Sequence, residues 1–86
     1  GQGDAFYELR LAADAAMLWS VAVHARRVHL SVARGTLEVL IEGQPHALHP
    51  RESLQFEGTD SLSIRNVGTS EAQSFVVIRP VPAPAR

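Results

Sequence analysis

Apolar and polar residues alternate along much of this chain with the period of a β-strand. Between Val28 and Asn66, Val28, Leu30 and Val32 alternate with His29, Ser31 and Ala33, and Leu37, Val39 and Ile41 alternate with Glu38, Leu40 and Glu42. Successive side chains of a strand point to opposite faces, so each set defines one buried face. Gly35, between these runs, can adopt a positive φ without a Cβ clash, which predicts a tight hairpin at Arg34-Gly35-Thr36. Glu42-Gly43-Gln44-Pro45 predicts a second reversal, and Leu48 then leads into a proline-set turn at His49-Pro50-Arg51-Glu52. Leu54 and Phe56 share one parity, and Leu62, Ile64 and Asn66 share another. A reversal at Gly58-Thr59-Asp60 is expected to pair those two strands directly. The stretch reads as an antiparallel barrel or sandwich.

The flanks add further strands. Tyr7, Leu9 and Leu11 lie on one face of a first strand, and Met17, Trp19, Val21 and Val23 on one face of a second. The alanine-rich segment between them, residues 12–16, also allows two or three helical turns from Leu9 to Leu18. His24-Ala25-Arg26-Arg27 reads as a polar turn and residues 67–71 as a loop. Ser74-Phe75-Val76-Val77-Ile78-Arg79 is an almost continuous apolar run suited to a buried strand. The prolines of residues 80–86 predict an extended tail behind a single domain of residues 1–79.

Composition narrows the function classes. A chain of 86 residues is one domain with a small core. With 45% hydrophobic and 20% charged residues it is globular in composition, and no apolar run approaches the roughly 20 residues of a membrane span. A net charge of −1 offers no basic field for a phosphate backbone, so direct nucleic-acid contact is not expected. The absence of cysteine excludes disulfides and thiolate metal sites and fits a cytoplasmic protein. The opening Gly1-Gln2-Gly3 suggests a piece of a longer parent.

The order of these signals resembles the cupin superfamily. Residues 34–39, Arg-Gly-Thr-Leu-Glu-Val, resemble the glycine turn after the first cupin motif, and Gly43 to Leu48 the hairpin that follows it. Glu52-Ser53-Leu54-Gln55-Phe56 is similar to the family's acidic strand start, and Arg65-Asn66-Val67-Gly68 to its closing asparagine and glycine. The wording is nearest to the C-terminal cupin sensor domain of Cro/repressor-like helix-turn-helix transcriptional regulators. The resemblance implies an all-β fold, a small jelly-roll barrel of about eight antiparallel strands that senses a small molecule and pairs as a homodimer. It also locates departures. Where metal-binding cupins carry a glutamate and a late histidine, this chain has Val28 and Leu62, and His49 and Arg51 replace the glycines that usually flank the proline turn.

Four histidines keep a metal-dependent isomerase or dioxygenase open as an alternative, with His24, His29, His46 and His49 as ligands. Strand parity turns His24 and His29 outward; only His46 shares the parity of Leu48. No Gly-x-Ser-x-Gly elbow supports a nucleophilic serine, and Asp14, Glu38, Glu42, Glu52 and Glu57 are spread over turns and outward positions. Arg26, Arg27 and Arg34 form a small basic cluster in sequence, and Trp19 and Phe75 read as core. Asn66 reads as the tie of a buried turn or as a ligand contact. The expected reading is a cofactor-free, non-catalytic barrel that binds a small-molecule ligand through Trp19, Val28, Leu30, His46, Phe56, Leu62, Ile64 and Asn66. Leu18 and Leu40, on the opposite face, would be covered in a homodimer. A structural dimer module with a filled barrel is the remaining alternative.

Overall fold

The structure is a computed structural model, and it describes residues 4–19, 26–58 and 62–81. Eight strands follow in order: β1 (Ala5–Leu11), β2 (Ala16–Trp19), β3 (Arg26–Arg34), β4 (Leu37–Ile41), β5 (Gln44–Leu48), β6 (Ser53–Glu57), β7 (Leu62–Asn66) and β8 (Ala72–Pro80). They form two antiparallel four-stranded sheets, β1-β8-β3-β6 and β2-β7-β4-β5, the strand order of a jelly roll. The described residues contain no helix. Residues 12–15 form a tight turn instead, with the Ala15 N–H donating to the Ala12 carbonyl at 3.0 Å and Asp14 at φ 62°.

Alternation places the core between the sheets. Val28, Leu30, Val32, Val76 and Ile78 of the first sheet meet Leu37, Val39, Leu48, Leu62 and Ile64 of the second, all buried. Ser74 is buried among them, and its hydroxyl donates to the Ser31 carbonyl at 2.8 Å. Glu42 and Gly43, at φ 50° and 77°, make the two-residue turn between β4 and β5, where Ile41 pairs with Gln44. Two positive φ values match a turn whose twist suits the flanking strands.

Several strand partners differ from the sequence-based expectation. Gly35 does not close a hairpin, because β3 belongs to the first sheet and β4 to the second. Its φ of 88° carries the chain across between sheets, against the start of β8, where a Cβ would lie 2.7 Å from that of Ala72. The β6 and β7 strands are likewise unpaired with each other: β6 pairs with β3, and β7 with β2 and β4. Alternation identifies faces but not partners, and closing two sheets over one core sends successive strands to opposite layers. Arg26 and Arg27 lie in β3 rather than in a turn, and Pro80 still belongs to β8, opposite Arg26. The β8 strand is buried on its inner face only, at Ser74, Val76 and Ile78, while Phe75 and Val77 are half-buried on the outer face. Phe75 is therefore not core; its ring stacks on Phe6 with centroids 5.9 Å apart.

The face assignment of β6 holds. Phe56 pairs with buried Val28 and packs partly buried against the core, whereas Gln55 is exposed on the other face beside His29. Phe56→Ala is expected to lower stability by about 2 to 4 kcal/mol, near the lower end for aromatic truncation because the ring is only partly buried. Gln55→Ala should change it by less than about 0.5 kcal/mol. Urea midpoints of the two variants check this, and equal losses would show that the faces are misassigned.

Candidate functional site

The candidate site is the inner layer of the barrel and the opening where its burial fades. Directly paired residues share a face, so the register gives the inner rows. In the first sheet one row runs Ala5, Ile78, Val28, Phe56, and the next runs Tyr7, Val76, Leu30, Leu54. In the second, Met17, Ile64, Val39 and His46 form one row, and Leu62, Ile41 and Gln44 another. The central strands are fully buried along these rows at Val28, Leu30, Ile64 and Leu62. Burial is only partial toward the edges, at Met17, Ile41, Leu54 and Phe56, and it is lost at Gln44 and His46.

This settles where each expected lining residue lies. Val28, Leu30, Leu62 and Ile64 are brought together in the core, each 0% exposed. Phe56 packs at its margin. His46 has the inward parity expected of it but is exposed, because β5 is the edge strand of its sheet. Trp19 is paired with Leu62 through the backbone; its side chain lies outside the described residues, as do Val21, Val23 and His24.

Asn66 closes the other end of the barrel. It is fully buried, and its Nδ2 donates to the carbonyls of Leu11 at 2.9 Å, Ala12 at 3.2 Å and Ser70 at 2.8 Å. Its Oδ1 accepts from the Gly68 N–H at 2.9 Å. Its backbone N–H donates to the Ala15 carbonyl at 2.9 Å, and its carbonyl accepts from Asp14 N–H at 3.1 Å. Both amide protons are engaged by main-chain carbonyls, so the tying role is the one the geometry displays. The proline turn uses a related device. Arg51 adopts φ 73° where a glycine was expected, and the Glu52 carboxylate accepts from the His49 N–H at 2.7 Å.

The three described histidines do not form a metal donor set. His29 is exposed on the outer face of the first sheet, His46 on an edge strand of the second, and His49 in the turn. Among the described residues no three His, Asp or Glu side chains are placed to share a cation. Val28 and Leu62, at the two ligand positions that differ in sequence, are buried aliphatic side chains with no donor to offer. The described residues therefore do not fit the metal of metal-binding cupins. The carboxylates are equally dispersed: Asp14 faces Arg65 at 3.4 Å, and Glu57 faces Arg27 at 3.8 Å. On the outer face, hydrogen bonds from Gln73 and then Arg10 hold the Glu8 carboxyl below its ordinary range, and Glu8 raises Arg10 in turn.

Sequence reasoning missed one feature. Arg27, His29, Gln55, Val77 and Arg79 surround a shallow depression of about 80 Å³ on the outer face of the first sheet. The expected cluster of Arg26, Arg27 and Arg34 is not one, because β3 separates its ends and Arg34 pairs with Glu71 at 3.5 Å. Alternation turns these depression residues outward, but only the β3–β8 register sets Arg27 opposite Arg79.

Solved structures with this geometry identify the architecture. The Cupin_2 domain of an XRE-family transcriptional regulator from Enterobacter cloacae superposes with a TM-score of 0.82 at 22% identity, covering 93% of this chain and 83% of that one. The chain has the cupin fold. An HTH_3-family transcriptional regulator from Vibrio cholerae also matches, with a TM-score of 0.81 at 20% identity over 94% of this chain and 44% of the other. A predicted oxalate decarboxylase from Thermotoga maritima matches with a TM-score of 0.76 at 16% identity, covering 88% and 65%. No family model matches the chain, and no curated protein matches it in sequence. The cupin fold is thus shared with regulators and with a protein of enzymatic description. No helix among the described residues is long and apolar enough to cross a membrane.

Proposed function

We propose that this cupin domain is the small-molecule sensor of a cytoplasmic transcriptional regulator, non-catalytic and free of metal, with DNA contacted by another domain of the parent protein. The observation that carries the reading is the pair of aliphatic residues, Val28 and Leu62, buried where metal-binding cupins place ligands, in a fold shared with regulator domains. Lined by aliphatic side chains at these positions, the inner layer is suited to recognising shape and apolar surface. The ligand would enter beside Phe56, at the margin of the core that Val28, Leu30, Leu62 and Ile64 form. His46 would supply the polar contact at the mouth, and Asn66 would hold the far end in shape.

A thermal-shift screen of small metabolites against protein stripped of metal by chelation tests this. A stabilising ligand whose effect is lost in Phe56→Ala and His46→Ala but kept in Gln55→Ala supports the reading. One equivalent of tightly held iron, zinc or manganese by elemental analysis, with turnover, would overturn it in favour of an enzyme.

The same reading includes a homodimer. On the outer face of the second sheet, Leu18, Ser63, Leu40 and Pro45 form one cross-strand row, and Leu18 is 65% exposed. The neighbouring row sets Arg65 beside Glu38, which keeps this face free of a net charge that would repel a second copy. Leu40→Glu is expected to convert a dimer to a monomer by sedimentation velocity. A wild-type monomer at high micromolar concentration would remove the dimer from the proposal.

A further inference from the structure

The outer face of the first sheet carries a second kind of surface, independent of the barrel interior. Arg27 and Arg79 are direct cross-strand partners. Like charges in that position repel unless anions flank or bridge them. Among the described residues each has one flanking carboxylate at a long contact, Glu57 at 3.8 Å from Arg27 and Asp4 at 3.5 Å from Arg79. A guanidinium carries five N–H donors in a planar fork, so most of this donor capacity remains for a further acceptor. Between the two arginines and His29 and Gln55 lies the depression of about 80 Å³. Its one apolar wall is Val77.

That wall continues into a shelf. Phe6 is the direct partner of Val77 on β1, is 67% exposed, and stacks on half-buried Phe75 at 5.9 Å. Exposed aromatic surface beside guanidinium groups suits a ligand that is charged at one end and flat and apolar at the other. Because Glu57 and Asp4 already offset much of the positive charge, the balance favours a monoanion over a phosphate dianion.

We propose that this face binds a small aromatic carboxylate, its carboxylate held between Arg27 and Arg79 and its ring lying on Val77 and Phe6. Arg27 and Arg79 supply charge-assisted hydrogen bonds, Gln55 and His29 border the carboxylate, and the Phe6 ring excludes water from one side of the ligand.

Benzoate titrated into isotopically labelled protein and followed by amide chemical shifts is the test, with benzamide, acetate and inorganic phosphate as comparison ligands. Saturable shifts are expected at Arg27, His29, Gln55, Val77 and Arg79, with benzamide, which lacks the charge, binding at least about tenfold more weakly. Arg79→Gln alone, and Arg27→Gln with Arg79→Gln, should weaken benzoate by about tenfold or more without changing the fold, since both side chains are on the surface. Phe6→Ser should weaken benzoate and leave acetate unchanged. Equal binding of benzamide, unchanged affinity in the double variant, tighter binding of phosphate than of benzoate, or no saturation by about 10 mM would each overturn the proposal. Shifts confined to inner residues such as Ile41 and Phe56 would also overturn it, and would place benzoate in the barrel instead.

Discussion

Asn66→Asp is expected to destabilise the domain by about 4 kcal/mol or more near neutral pH, enough to leave a small domain largely unfolded. The native Nδ2 sits among three main-chain carbonyl oxygens at 2.8 to 3.2 Å and carries the two protons they share. An aspartate oxygen there faces acceptors with nothing to donate, in a position with no exposure to water. The carbonyls of Leu11, Ala12 and Ser70 would lose their side-chain donor together. The variant should also respond to acid in a distinctive direction. Burial among acceptors raises the folded-state pKa of the introduced carboxyl above its unfolded value, so the native variant holds a proton that the unfolded chain has lost. Its stability should therefore rise as pH falls toward that unfolded value and decline as pH rises through the folded pKa. Denaturant midpoints of Asn66→Asp and Asn66→Leu at about pH 5 and about pH 7 separate this effect from general acid sensitivity. Only the aspartate variant should recover at the lower pH, and a variant as stable as wild type at both would show that Asn66 does not tie the barrel shut.

Gly35→Ala is expected to cost about 2 to 5 kcal/mol, from two separable causes. A φ of 88° is unfavourable for any residue with a Cβ, and that Cβ would lie 2.7 Å from Ala72 Cβ and 2.9 Å from Ala72 Cα. Overpacking of this kind forces backbone movement, because the listening partner is the buried first residue of β8 rather than a flexible side-chain tip. Ala72→Gly in the Gly35→Ala background should relieve the contact with Ala72 Cβ but neither the 2.9 Å approach to Ala72 Cα nor the backbone strain. A double-mutant cycle by urea denaturation reads the coupling, which should be about 1 kcal/mol or more in favour of the pair. A negligible loss in Gly35→Ala, or strict additivity, would show that the crossover does not pass as closely over β8 as the structure has it.

The alternating residues determined more of this protein than any motif did. Val28, Leu30, Val32, Leu37, Val39, Leu62, Ile64 and Asn66 all face the core as their parity requires, because burying one face of a strand admits only one phase of a two-residue period. The turn at Glu42 and Gly43 was legible for a similarly local reason, since those backbone angles depend on two residues. The aliphatic character of positions 28 and 62 is likewise a property of the sequence itself. The strand partners could not. The chain after Gly35 and the chain after β6 both leave their sheet, and no local preference distinguishes a hairpin from a crossover to the opposite layer. His46 illustrates the limit of parity: its phase is inward, but its strand ends the sheet, and only the tertiary structure decides which strands are edges. The same holds for Arg27 and Arg79, residues far apart in sequence that become neighbours through the β3–β8 register. Alternation is a property of each strand by itself, whereas edges, crossovers and cross-strand neighbours arise from how the two sheets close over a shared core.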